Sequence, residues 1–262
     1  MPGQSGKKFG PFDIGHKHIT VTYDYGDAIT GDSLEIKDAT GVSYLKETYH
    51  NDGESSYTVE NAFKVEGKSG EGIIIFYDLE PNAPPCGPEF QIFGMEGGSL
   101  KSLSSSIIVC GQFEKLPEGT PSGVLKLLDG DLIKVEVWKG FFGIRIPFKV
   151  DFQKMTIAPL MARGVFDINI PHSIDSIDTS EGNEISFYPD HTGNSIPEVI
   201  SASEIKKVEF IGSYADVHLE QVSKSQLDIK ITNIWLKVKV NGREGWVNDT
   251  NDFYILGLVP LG

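Results

Sequence analysis

The chain has 262 residues, with 37 Asp and Glu against 23 Lys and Arg and a formal net charge of −14, a balance that repels phosphate backbones and anionic headgroups and so argues against nucleic acid as a partner. An apolar fraction of 39% together with 29 glycines excludes a wholly disordered or collagen-like chain. The densest apolar runs, at 73–77 and 255–259, fall far short of the roughly 18 residues a membrane-spanning helix needs.

The opening Met1-Pro-Gly-Gln-Ser-Gly-Lys-Lys8 carries no apolar segment of the kind a signal peptide requires. Both synthesis without a leader and replacement of one stay open. From there the chain reads as strands. Period-two alternation runs through His18-Ile-Thr-Val-Thr-Tyr23 and Ser33-Leu-Glu-Ile-Lys37, and strands are expected near 16–25, 33–37, 42–50, 55–65, 71–80, 88–93 and 106–113. His16 and His18 are expected on one face of the first, a pair that serves as metal ligands if a third group converges. Asp24, Asp27 and Asp32, and likewise Asn248-Asp-Thr-Asn-Asp252, are hard oxygen donors of the type calcium takes, although neither group follows the twelve-residue calcium-loop pattern. The only cysteines, Cys86 and Cys110, match no metal or redox spacing and leave a disulfide and two free thiols both open. Ser99–106 and 197–207 are too short for more than a helical turn or a loop.

The stretch Leu116-Pro-Glu-Gly-Thr-Pro-Ser-Gly123 is the richest in Pro and Gly and marks a first boundary. Further strands are expected near 131–138, 143–152 and 164–170. Between the first two, Phe141 and Phe142 sit flanked by Gly140 and Gly143 at a hairpin tip, placed for packing or for partner contact. The polar stretch 172–184 reads as a loop or linker. Within it Asp178-Thr-Ser180 lacks the apolar flanks of an aspartic-protease loop and reads as a solvated turn. No glycine-rich phosphate loop and no Gly-x-Ser-x-Gly elbow occurs.

The clearest local signal is Ile234-Trp-Leu-Lys-Val-Lys-Val-Asn-Gly-Arg-Glu-Gly-Trp-Val247, two strands about an Asn241-Gly242 turn for which positive φ at both positions is expected. Trp235, Val238, Asn241, Gly242, Gly245, Trp246 and Val247 give this stretch a pattern that resembles the bacterial Src-homology-3-like domain. That resemblance implies a small barrel whose earlier strands are Lys207-Val-Glu-Phe-Ile211 and Ala215-Asp-Val-His-Leu219 and whose closing strand is Tyr254-Ile-Leu256.

The sequence is therefore expected to be all-β: an N-terminal antiparallel sandwich, immunoglobulin-like or jelly-roll, over 1–115, additional strands and linker over 116–184, and a Src-homology-3-like barrel over 185–262. Trp235, Trp246, Tyr214, Phe141 and Phe142 are the candidate ligand-binding residues, and no cofactor is implied. The functional expectation is a non-enzymatic binding protein of the bacterial cell envelope, outside the cytoplasm, with a protein, peptide or glycan partner. A cell-wall or carbohydrate hydrolase and an intracellular assembly protein are the alternatives.

Overall fold

The structure, a computed structural model, describes residues 6–26, 31–49, 57–79, 89–109, 111–113, 124–170, 177–224 and 226–260. Among these the chain is all-β apart from one short helix and a single 3-10 turn, and none of its sheets closes on itself. It divides into two compact units. The first comprises Met1–Val135, Pro147–Ala158 and Leu219–Ile229, and the second Glu136–Ile146, Pro159–His218 and Lys230–Gly262.

In the first unit β1 (Lys7–Ile14), β2 (Lys17–Asp24), β3 (Asp32–Asp38) and β4 (Ser43–Tyr49) form an antiparallel sheet in chain order. Alternation sends Ile19, Val21 and Tyr23 of β2 and Leu34 and Ile36 of β3 to one face, where Phe9, Phe12 and Ile14 of β1 join them. The same core takes Val59 and Ala62 from β5 (Tyr57–Gly67), Ile73, Ile75 and Tyr77 from β6 (Gly70–Leu79), Phe93 from β7 (Glu89–Glu96) and Leu100 from β8 (Ser99–Ser102). Each isoleucine withdrawn fully from water in this way contributes about 1.5–3 kcal/mol, enough that a one-residue slip in any of these strands is strongly opposed. Beyond β7 lies β9 (Ser106–Ile108), which residues 226–228 extend in parallel, and beyond β5 lies β11 (Val124–Lys126), also parallel. The short β10 (Gly111–Phe113) lies between β9 and β11 in the chain.

The strands β12 (Leu132–Lys139) and β13 (Phe142–Asp151) contribute residues to both units, and β14 (Thr156–Pro159) pairs with β13. In the second unit β15 (Arg163–Asn169) stands between β13 and β18 (Val208–Gln221), followed by β19 (Gln226–Val240) and β20 (Arg243–Val247). A two-stranded sheet of β16 (Glu184–Phe187) and β17 (Glu198–Ser201) and the helix α1 (Thr250–Ile255) complete it.

The Asn241-Gly242 turn has φ of 48° and 88°, and Val240 faces Arg243 across it. Both central residues are left-handed, as a two-residue turn matching the twist of its strands requires. Two expectations are corrected. Tyr254-Ile-Leu256, expected as a strand, lies on and just after α1, because Asp249 caps that helix by accepting a hydrogen bond from the Asn251 amide at 2.7 Å and helical spacing buries Phe253 and Leu256 on one face. Ser99–Ser102, read as a turn or loop, is a strand paired with β7, whereas 197–207 does hold a single helical turn, the 3-10 turn Ala202–Glu204, after β17.

Candidate functional site

Register decides which side chains of the second unit share a face. Across β13 and β15, Gly143 faces Asn169 and Arg145 faces Asp167; across β15 and β18, Val165 faces Tyr214 and Arg163 faces Asp216; across β19 and β20, Lys237 faces Trp246. Side chains alternate along each strand, so Leu236, Val238, Val240 and Val247 turn to the buried side. Trp235, Lys237 and Trp246 turn to the other side, with Tyr214.

The segment after β16 lies over that outer side. Tyr188 and Trp246 exchange backbone hydrogen bonds, each amide donating to the other's carbonyl at 2.9 Å. Asp190 then folds the chain back by accepting from the Thr192 amide at 2.8 Å and from its hydroxyl, contacts that hold its carboxyl below the usual carboxylate range. The turn sets His191 against Tyr214, ring centroids 3.8 Å apart at 32°, and 5.0 Å from Trp246. Tyr188 meets Trp235 edge to face at 5.1 Å. The Trp235 indole N–H donates to the Asn233 side chain at 3.1 Å, and the Lys237 ammonium, paired with Glu244 at 2.9 Å, lies 6.0 Å from the Trp246 ring centre. The result is a continuous aromatic cluster. Trp235 and Trp246 are its buried floor, while Tyr188, His191 and Tyr214 are half-buried at its surface.

Three of the five residues singled out from the sequence, Tyr214, Trp235 and Trp246, thus meet in one cluster. Phe141 and Phe142 do not join it. They are buried against α1, with Phe141 edge to face on Phe253 at 5.5 Å and on Tyr254 at 4.8 Å, and Phe142 on Phe253 at 5.9 Å. His16 and His18 are separated in role. His16 has φ of 67° in the turn between β1 and β2, and exposed His18 on β2 pairs through Nδ1 with the Asp13 carboxylate. Asp32 accepts hydrogen bonds from the Tyr23 hydroxyl at 2.5 Å and the Gly26 amide at 2.8 Å, whereas Asp27 lies outside the described residues, as do Cys86 and Cys110. Among the described residues no group of three or more His, Cys, Asp or Glu is placed to hold a metal ion. Asp178 accepts from the amide and hydroxyl of Ser180 in an exposed turn.

His191 is the residue that sequence reasoning passed over. Its signal was the turn sequence Tyr188-Pro-Asp-His191-Thr-Gly193 directly after a strand, a composition that reverses the chain and lays its aromatic side chains back over the sheet.

Chemically the cluster offers ring faces, one imidazole and one ammonium, a set suited to stacking and hydrogen bonding. Comparison of the chain with family models, with curated proteins and with solved structures finds no match.

Proposed function

We propose that the chain is a non-enzymatic binding protein of the bacterial cell envelope whose second unit takes a glycan on its outer aromatic face. The observation that carries this reading is the His191 ring set between Tyr214 and Trp246, beside the Tyr188–Trp235 pair. Such a surface provides flat apolar patches for the C–H faces of sugar rings and polar edges for their hydroxyls. The finer architecture belongs to the same proposal. A sandwich in the first unit is supported by the core that β1–β3 share with β5–β8, and kinship with Src-homology-3-like domains by the sequence of the β19–β20 hairpin.

The test is co-sedimentation of the full chain with purified peptidoglycan sacculi and with chitin. Retention on either glycan is expected, and His191→Ala and Tyr214→Ala should each weaken it at least tenfold. Failure to sediment with both, or retention unchanged in both variants, overturns the reading.

A further inference from the structure

The same outer face carries a second group of side chains, on β12, β13 and β15. Glu136 is only 2% exposed. Its Oε1 accepts from the Trp138 indole N–H at 3.1 Å and from the Asn169 side-chain amide at 3.0 Å, and its Oε2 lies 3.4 Å from Nε of Arg145. Gly143 makes room for it, since a Cβ there would stand 2.6 Å from the Glu136 side chain. The buried carboxylate thereby fixes an indole, a guanidinium and a carboxamide in one orientation. Trp138 stays 39% exposed, and Nη1 and Nη2 of Arg145 have no partner among the described residues. Asp167, exposed, faces Arg145 directly across the β13–β15 pair.

We infer that Trp138, Arg145 and Asp167 form a second sugar subsite on this face, so that an extended neutral oligosaccharide spans from Trp138 to the His191–Tyr214 cluster. The inference rests on the glycan-binding reading above. Charge excludes the obvious alternative of an anion, because Glu136 and Asp167 outweigh the single guanidinium and the whole chain is acidic. A sugar hydroxyl both donates and accepts, and so uses the Arg145 donors and the Asp167 acceptor together. The exposed indole supplies the platform for the ring itself. Trp138 stands on β12 and Tyr214 on β18, three strand spacings away in the order β12-β13-β15-β18, roughly 14 Å across the sheet, and the four residues from Asn169, bonded to Glu136, to Val165, opposite Tyr214, add about 13 Å along the strands. One or two sugar rings reach only one subsite; a longer chain engages both and gains from the second as an intramolecular contact.

The experiment is calorimetric titration of the full chain with the dimer and the hexamer of β-1,4-linked N-acetylglucosamine. The hexamer is expected to bind at least tenfold more tightly than the dimer. Trp138→Ala and Arg145→Lys should bring the hexamer down to the dimer's affinity, whereas Trp138→Phe, which keeps a ring, should retain most of the difference. Circular dichroism of each variant verifies its fold, and Arg145→Lys keeps a cation beside Glu136. Hexamer binding that survives both Trp138→Ala and Arg145→Lys overturns the second subsite and spares the first. Absence of binding by both oligomers overturns the second subsite, and it overturns the glycan reading as well where the chain also fails to sediment with sacculi and chitin.

Discussion

Asp131 in the first unit and Asn241 in the second use one device in two settings. Each holds a left-handed backbone, with φ of 61° and 48°. Each accepts hydrogen bonds from two consecutive amides of a distant turn: Asp131 from Lys68 and Ser69, and Asn241 from Lys206 at 2.8 Å and Lys207 at 3.2 Å. The difference is burial. Asp131 is 4% exposed, with Lys149 3.5 Å away, whereas Asn241 lies at the surface and uses its side-chain N–H to reach the Glu204 carbonyl at 2.8 Å. Water can replace what Asn241 offers and cannot replace what Asp131 offers, so the same geometry should differ in worth.

The largest expected effect tests that difference directly. Asp131→Ala strands two amides and places a Cβ-bearing residue without a local hydrogen bond in the left-handed region, for a loss of about 3 kcal/mol, against about 1 kcal/mol for Asn241→Ala. Urea denaturation of both variants measures it, and equal losses would break the comparison. The pH dependence sharpens it. Burial pushes the Asp131 carboxyl up, but the Ser69 hydroxyl, the Lys68 and Ser69 amides and Lys149 outweigh it and leave the carboxyl below its ordinary range. The stability it adds is therefore present above its unfolded pKa and is lost as pH falls through the folded one.

Asp252 shows what happens when the donors are too few. It is buried on α1 with one backbone donor, the Ser186 amide at 3.2 Å. Burial, with a smaller push from Asp249, outweighs that amide and raises its carboxyl to about 6. A raised carboxyl penalises the ionised fold, so stability should fall as pH climbs from about 4 to about 6 and stay low above that. Asp252→Asn, whose carbonyl oxygen still accepts from Ser186, should stabilise the protein by about 2 kcal/mol at pH 7.5 and change little at pH 4. Denaturant midpoints at the two pH values decide it, and an equal gain at both would place the effect outside ionisation.

Much of this was legible in the sequence, and the reason for the rest is local. Alternation in His18–Tyr23 and Ser33–Lys37 gave β2 and β3 because one face of each is buried, and Asn241-Gly242 gave its turn because few other pairs fit two left-handed residues. Helix α1 was missed because its capping residues, Asp249 to Asp252, also look like oxygen ligands for calcium; an acidic cap three residues ahead of a second acid was the sign of a helix start. The Tyr214–His191–Trp246 contact joins three separate segments, and period-two alternation marks a strand's faces without naming its neighbours. The same limit hides the units themselves, since β19 gives residues 226–229 to one and 230–240 to the other.

The smallest effects separate backbone strain from side-chain loss at the same surface hairpin. A Cβ at Gly242 would meet nothing within 4 Å, so the cost of replacing it lies wholly in its φ of 88°. A β-branched residue resists that conformation most, and Gly242→Val should cost about 1–2 kcal/mol. Lys239, three residues earlier, faces Glu244 across the β19–β20 pair and is half-exposed. Its charge is screened by water and threonine suits a strand, so Lys239→Thr should cost under about 0.5 kcal/mol. If the Lys239 variant lost as much as the Gly242 variant, strain at the turn would not be what fixes this hairpin. The second unit's surface would then depend on side-chain pairing, as the first unit's interior does at Asp131.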